Sequence, residues 1–384
     1  MKIILFDLIS TQDTVNGGSE YTKKILNEIL LYSNNIKIIG LYDSYLRECS
    51  SEKQQIIQSG GEIVDIRKYN LSIDIIIKEY EVNLLFIGIL QRYFFYDLSK
   101  INCQTIVVMH DVGDLENAYN GIYKFYPQTP MSFKSKIRSF IKKSSDLEKY
   151  YMLKNKYSKV IPFLVKKNVK IVTVSNHSLK TIYYFFSELR NKNIDVLYPP
   201  LKTTVVKGYI ENTLLKKYLE SNRKYFLVIS AHRTDKNAIT VYKAFKEFVK
   251  EYSDVDLLCV GGNFICKNCI NLPLLSSSDL ENAYKYAYAF IYPSLQEGFG
   301  YPPLEAMKYD VPIICSNVCS MPEIYGESVH YFSPFYANDL FNKMIYVIEN
   351  RDSLIDKMYL RRNFIMSKQS KDLELLISYI VNNE

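Results

Sequence analysis

The chain reads as an α/β protein built from two parallel-sheet domains, and three observations carry that reading. Short β-rich apolar runs alternate with amphipathic helical segments along all 384 residues. They form two series, separated at 198–215 by "YPPLKTTVVKGYIENTLL", which opens on a Pro-Pro pair and has weak periodicity. The length favours two cores over one, and a 48% hydrophobic composition is ample to fill them.

The first series offers strands at "KIILFDL" (2–8), "IKIIGLY" (36–42), "NLLFIGI" (83–89), "QTIVVMH" (104–110) and "KIVTVS" (170–175), with helices such as "SEYTKKILNEILLYS" (19–33) between them. The amino-terminal run is too short for a signal peptide, lacks a small-residue cleavage site and is interrupted by Asp7, so it reads as the first strand. The second series runs "KYFLVIS" (224–230), "VDLLCVGG" (255–262), "AYAFIYP" (287–293) and "VPIICSN" (311–317). Domain bounds follow: 1–200, a linker at 201–218, a second domain at 219–352, and closing helices at 353–384.

No apolar run approaches the roughly 18 residues needed to span a bilayer. Seven cysteines spread along a long chain do not suggest a disulfide framework and fit a reducing cytoplasm. The charge of +7 is concentrated: between 133 and 170 there are twelve Lys/Arg against Asp146 and Glu148. Within that stretch Phe133, Ile137, Phe140 and Ile141 share one helical face, beside Lys134, Lys136, Arg138, Lys142 and Lys143. Such a helix either lies on an anionic membrane surface, on the inner face of the cytoplasmic membrane, or packs its apolar stripe on the protein's own core. Nucleic acid is not an expected partner, since no binding motif or aromatic-basic stacking pattern is present.

In open parallel sheets ligands sit beyond the carboxyl ends of the strands. "SLQEGFGYPPLEAM" (294–307) follows such a strand. Gly298 and Gly300 allow a tight turn and expose main-chain N–H groups, while Pro302 and Pro303 suit the first turn of a helix aimed back at the loop. That is a ready anion site. Glu297 and Glu305 add acceptors for hydroxyl groups, so diphosphate together with sugar hydroxyls fits the constellation. Either glutamate alone would be an ordinary loop or helix-dipole residue; the combination points to a ligand.

The E-x7-E stretch "EGFGYPPLEAM" resembles the signature of retaining glycosyltransferases of family 4, whose fold is GT-B: two Rossmann-like, doubly wound domains facing each other across a cleft. "NGGSEY" (16–21), "VMHDVGD" (108–114), "IVTVSNHS" (171–178), "YPPL" (198–201), "DKNAITVYKAF" (235–245), "VGG" (260–262) and "SNVCSMPEIYG" (316–326) agree in the family's order. The resemblance implies that Glu297 meets the donor sugar's hydroxyls and Glu305 the ribose of the nucleotide. It implies main-chain N–H groups from Gly298, Phe299, Gly300 and Tyr301 on sugar and phosphate. Lys236 would neutralise the departing diphosphate, with Arg233 as second cation, although the family spaces that pair differently. Gly17 and Gly18 would lie beside the donor phosphates and acceptor, and His110 near the reacting carbon. The implied activity is metal-independent, cofactor-free, retaining hexosyl transfer from a nucleotide-sugar to a glycan acceptor. With the basic helix, a lipid-linked acceptor of a bacterial surface polysaccharide is expected. No residue stands out as a covalent nucleophile, and the family's picture has the acceptor attack from the face the phosphate vacates. It further implies domain closure on the donor and closing helices that cross back to the first domain. A non-catalytic GT-B scaffold subunit and a GT-B epimerase or phosphorylase are the alternatives.

Two other signals are set aside. Asp254-Val255-Asp256 resembles a metal-binding D-x-D but precedes a strand, at the wrong end of a sheet, and reads as a solvated turn. Cys266-x2-Cys269 with Cys315-x3-Cys319 could surround zinc, but no histidine lies near the first pair.

Overall fold

The computed structural model describes residues 1–12, 17–32, 34–120, 146–201 and 209–382. The five basic residues from Lys134 to Lys143 lie outside them. The chain divides into two compact units. The first holds Met1–Val112, Tyr151–Lys202 and Ser367–Glu384; the second holds Gly113–Tyr150 and Thr203–Met366.

Seven strands form the sheet of the first unit: β1 (Lys2–Asp7), β2 (Ile36–Tyr42), β3 (Glu62–Asp65), β4 (Leu84–Ile87), β5 (Gln104–Val108), β6 (Val169–Thr173) and β7 (Ile194–Val196). Every pairing is parallel and the order is β3-β2-β1-β4-β5-β6-β7. Six strands form the second: β8 (Lys224–Val228), β9 (Val255–Val260), β10 (Cys269–Leu272), β11 (Ala289–Tyr292), β12 (Ile313–Ser316) and β13 (His330–Phe332), in the order β10-β9-β8-β11-β12-β13. Both are doubly wound Rossmann sheets. The chain direction across each reverses beside the strand that starts it, between β1 and β4 and between β8 and β11.

The central strands are continuous apolar runs because helices cover both faces; β4 and β9 are buried throughout. The helix Ala238–Phe248 shows how its sequence packs: Val241, Ala244, Phe245 and Phe248 recur at helical spacing and are buried in the second core beside Phe226, Leu257 and Ile291. In the first unit Ile25, Leu26 and Ile29 of the helix Gly17–Leu30 pack on Ile4, Phe6, Ile38 and Phe86. The long final helix, Ile355–Asn382, is attached to each unit in turn. Arg361 donates to the Ile324 and Glu323 carbonyls in the second unit. Further along, Gln369 donates to Pro199 O at 2.6 Å, Asp372 accepts from Tyr198 N at 2.7 Å, and Leu376, Ile377 and Ile380 enter the first core. Among the described residues no helix is long and apolar enough to cross a membrane.

Two expectations are corrected. Asp256 is no solvated turn residue: it lies within β9, 3% exposed, and accepts from Arg223 at 2.7 and 2.8 Å and from the Tyr218 hydroxyl at 2.9 Å. The D-x-D is thus split, its second member serving as the buried anchor of a neighbouring loop. Cys266 and Cys269, read as thiols or half of a zinc set, are joined as a disulfide at the start of β10. Cys315 is a buried residue of β12, as its apolar context suggests.

Candidate donor site and its relatives

At the switch point of the second sheet, the loops after β8 and β11 run side by side. Leu295 N donates to Asp235 O at 2.8 Å, tying one to the other. The loop after β8 closes in the 3-10 turn Thr234–Lys236, then passes through Asn237 in the left-handed region (φ 47°) into the helix Ala238–Phe248. This turn folds Lys236 inward, where it is 8% exposed. Its ammonium pairs with Glu297 and donates to the Tyr292 hydroxyl at 3.3 Å. Asp235 Oδ2, at 4.0 Å, is beyond hydrogen-bond length, so the third N–H of the ammonium is not taken up by that neighbour.

Glu297 accepts from Lys236, from the Tyr292 hydroxyl and from Ser294 Oγ at 2.7 Å. Burial alone would raise its carboxyl; the Lys236 charge and the three hydrogen bonds outweigh that and hold it below the ordinary carboxylate range. Arg233 stands apart: its guanidinium grips Asp235 at 2.7 and 3.1 Å and its side chain is half exposed.

The glycine turn leads into a short helix, Tyr301–Ala306. Gly300 caps it at φ 85°, where a side chain is strained, and a Cβ there would stand 2.4 Å from Met321 Cε. Two side chains hold the turn in shape. Tyr325 donates to the Gly300 carbonyl and accepts from Leu304 N at 3.2 Å, and Ser320 donates to Glu297 O at 3.0 Å. Gly298 and Phe299 are buried, Tyr301 is half-buried and its ring lies 5.4 Å from that of Phe299. Glu305, half-buried, accepts from the Tyr284 hydroxyl at 3.2 Å. Lys236, Glu297, Phe299 and Gly300 therefore belong to one hydrogen-bonded assembly, with Gly298 in the turn between them and Glu305 one helical turn on. Tyr284, Tyr292, Ser294, Ser320 and Tyr325 complete it and were not anticipated.

Residues 211–365 match the sequence profile of the family described as Glycosyl transferases group 1. Over this segment the chain is similar to group 1 glycosyl transferases. Curated relatives include O-antigen chain mannosyltransferase RfbU of Salmonella typhimurium, 26% identical over 214 residues (52% of this chain and 55% of that protein). O-antigen chain mannosyltransferase B of Escherichia coli is 49% identical over 57 residues, 15% of each chain. The aligned part spans about half the length of the first of these relatives and less of the second. Among solved structures, WaaG, a glycosyltransferase involved in lipopolysaccharide biosynthesis, superposes with TM-score 0.63 at 10% identity over 100% of both chains. Anabaena Alr3699/HepE in complex with UDP superposes with TM-score 0.66 at 12% identity over 99% of both. The fold is GT-B. The match to the group 1 glycosyl transferase domain includes Arg233, Lys236, Glu297 and Glu305.

The first unit has its own cluster at the β1/β4 switch point. Asp7, fully buried at the end of β1, accepts from Ser10 N and Gly88 N, both at 2.9 Å. Gly88 brings β4 so close to the helix Gly17–Leu30 that a Cβ would meet Thr22 Oγ1 at 2.2 Å. His110, just past β5, has Nε2 3.0 Å from Gly88 O and its ring edge-to-face with Tyr21, 4.9 Å between centroids. A carbonyl only accepts, so Nε2 carries the hydrogen and Nδ1 presents a lone pair. Burial pushes the imidazole down to about 4, although the Gly88 bond works the other way. It is neutral at pH 7. Gly17 and Gly18 open the helix, exposed and half-buried respectively.

Proposed function

We propose that the protein transfers a hexosyl group, with retention and without a metal, from a nucleotide-sugar to a glycan acceptor in the assembly of a bacterial surface polysaccharide. The observation that carries this is the buried Lys236–Glu297 pair at the switch point, framed by the Gly300-capped turn. In this reading the pair supplies a cation for the departing diphosphate and a carboxylate to orient sugar hydroxyls. Lys236, with an N–H to spare, would take a phosphate oxygen. Glu297, held by Tyr292 and Ser294, would receive the donor's hydroxyls. All three of its hydrogen bonds fall on Oε1, which leaves Oε2 to accept from a sugar hydroxyl and supports an orienting role, in keeping with attack from the leaving-group face. Glu305 would hold the ribose. On the first unit, His110 can accept from a hydroxyl through Nδ1 but, being neutral, cannot serve as an acid there. The two curated relatives make mannose the first sugar to try, and the basic segment at 133–170 supports an acceptor held at an anionic membrane surface.

Thermal unfolding against UDP-, GDP-, dTDP-, CMP- and ADP-sugars, with EDTA present, tests the reading. A donor at 100 times its dissociation constant adds about 2.7 kcal/mol, a shift of a few degrees for a unit of this size. One nucleotide class should stabilise the wild type and fail with Glu305→Gln. No shift with any donor would remove the proposal. Vesicle sedimentation with reversed charge at Lys142 and Lys143 tests the membrane component; unchanged binding would sink it.

A further inference from the structure

The loops that follow β2, β3 and β4 converge on Asp43. Its side chain, 2% exposed, accepts from Arg67 Nε and Nη2, both at 2.7 Å, and from the Tyr96 hydroxyl at 3.1 Å, while Tyr45 N donates to it at 2.9 Å. Gln12, buried in the segment after β1, closes the frame. Its amide donates to Asp43 O at 3.0 Å and Arg47 O at 2.9 Å, and its oxygen accepts from Asp43 N at 3.0 Å. Four loops are thereby locked together at the carboxyl edge of the first sheet.

On this frame stands Tyr45, 80% exposed, with the Arg67 guanidinium 4.2 Å from its ring centroid. Arg67 is itself one-third exposed, and Asp43 engages Nε and Nη2, leaving Nη1. A large ring held in solvent by a rigid network contributes nothing to the core. Over one face of it lies a planar donor whose charge the buried Asp43 already offsets. The opposite face of the ring, with N–H donors reached past its edge, at the strand ends where parallel sheets bind ligands, matches a hexopyranose: C–H bonds over that face, a hydroxyl oxygen at the edge to Nη1. The charge balance of the pair favours a neutral sugar over a phosphate.

We infer that Tyr45 and Arg67 form a subsite for a neutral hexose of the acceptor glycan. This rests on the glycosyl-transfer reading above. β2 and β3 lie one and two strand spacings, about 5 and 10 Å, from β1 at the switch point. The subsite would therefore hold a unit further along the acceptor than the one that receives the sugar, making Tyr45 and Arg67 determinants of acceptor length.

The chain has 34 tyrosines and no tryptophan, so Tyr45→Trp introduces the sole indole and keeps an aromatic face. Its emission is titrated with mannose, α-mannobiose, α-mannotriose, maltose and maltotriose. A saturable blue shift with di- or trisaccharides, at least tenfold tighter than with mannose, is expected. Adding Asp43→Asn with Arg67→Gln, which leaves no unpaired buried charge, should weaken it at least tenfold. Unchanged emission with all five sugars overturns the subsite, as does a shift that the added substitutions leave intact. In parallel, nucleotide-sugars are tested for thermal stabilisation of the wild type and of Tyr45→Ala. An equal shift in both is expected, because the donor site lies on the second unit. A wild type that no nucleotide-sugar stabilises would overturn the glycosyl-transfer reading and, with it, the acceptor role, whatever the indole reports.

Discussion

A lysine and a glutamate taken out of water are each costly alone, and in the second unit Lys236 and Glu297 are tolerated because each lies against the other. Lys236→Met would leave Glu297 buried without its counter-ion, a loss of about 3 kcal/mol of stability. Lys236→Met with Glu297→Gln should recover most of that in calorimetry. Both variants should still lose about 100- to 1,000-fold in sugar transfer, since stability and the charge on the departing group are separate requirements. His110 gives a pH prediction. Its folded pKa of about 4 lies below the unfolded value of about 6.5, so the unfolded chain binds the proton first. The imidazole's contribution, about 3 kcal/mol, is complete above about pH 6.5 and disappears as the pH falls to about 4. In an NMR titration of the four histidines, one should titrate near pH 4 and be missing from His110→Gln. Glu297 was singled out in the sequence by its place between an apolar run and a glycine turn, whereas Lys236 and His110 were singled out through the family resemblance. Tyr284, Tyr292 and Tyr325 were not: each lies in a strand or helix as a core residue, and only the folded register aims its hydroxyl at the site.

At the scale of elements, the turn between β11 and the helix Tyr301–Ala306 depends on Gly300 for two separate reasons, its positive φ and its contact with Met321. Gly300→Ala should cost more than about 1 kcal/mol. Adding Met321→Ala should return part of the site's function by relieving the clash, but not the backbone strain; donor-induced thermal shifts on the pair of variants would separate the two. The strands that sequence reading missed are β3, β7, β10 and β13, the two edges of each sheet. They are three or four residues long and only partly buried, so they lack the apolar run that marks a strand with neighbours on both sides. Central strands announce themselves through burial on both faces. Edges are defined by pairing with a partner far away in sequence.

Over the whole molecule, the chain crosses between units more often than a two-segment division suggests. Gly113–Tyr150 clusters with the second unit, and Ser367–Glu384 with the first. The final turns of the last helix are thus part of the first core through Leu376, Ile377 and Ile380. Truncation after Met366 would expose the face they cover, at about 1.5–3 kcal/mol for each fully buried apolar side chain. The first unit should then melt well below its place in the full chain, or the product should be insoluble. The second unit's donor-induced shift should survive, because the Lys236–Glu297 assembly draws nothing from that segment.

What the sequence by itself determined was the fold class, the two-domain plan and the glycine turn that opens the helix at the candidate site. Alternating apolar runs and helices, glycines at a turn and prolines at a helix start are local signals, read within a few residues. Only the tertiary structure decided which polar groups meet. The buried partners of Glu297, the commitment of His110 Nε2 to Gly88, the burial of Asp256 and the frame that presents Tyr45 all join residues from different strands and loops. Those contacts follow from strand order and register, which bring chain segments together through long-range pairing and leave no mark in the local sequence.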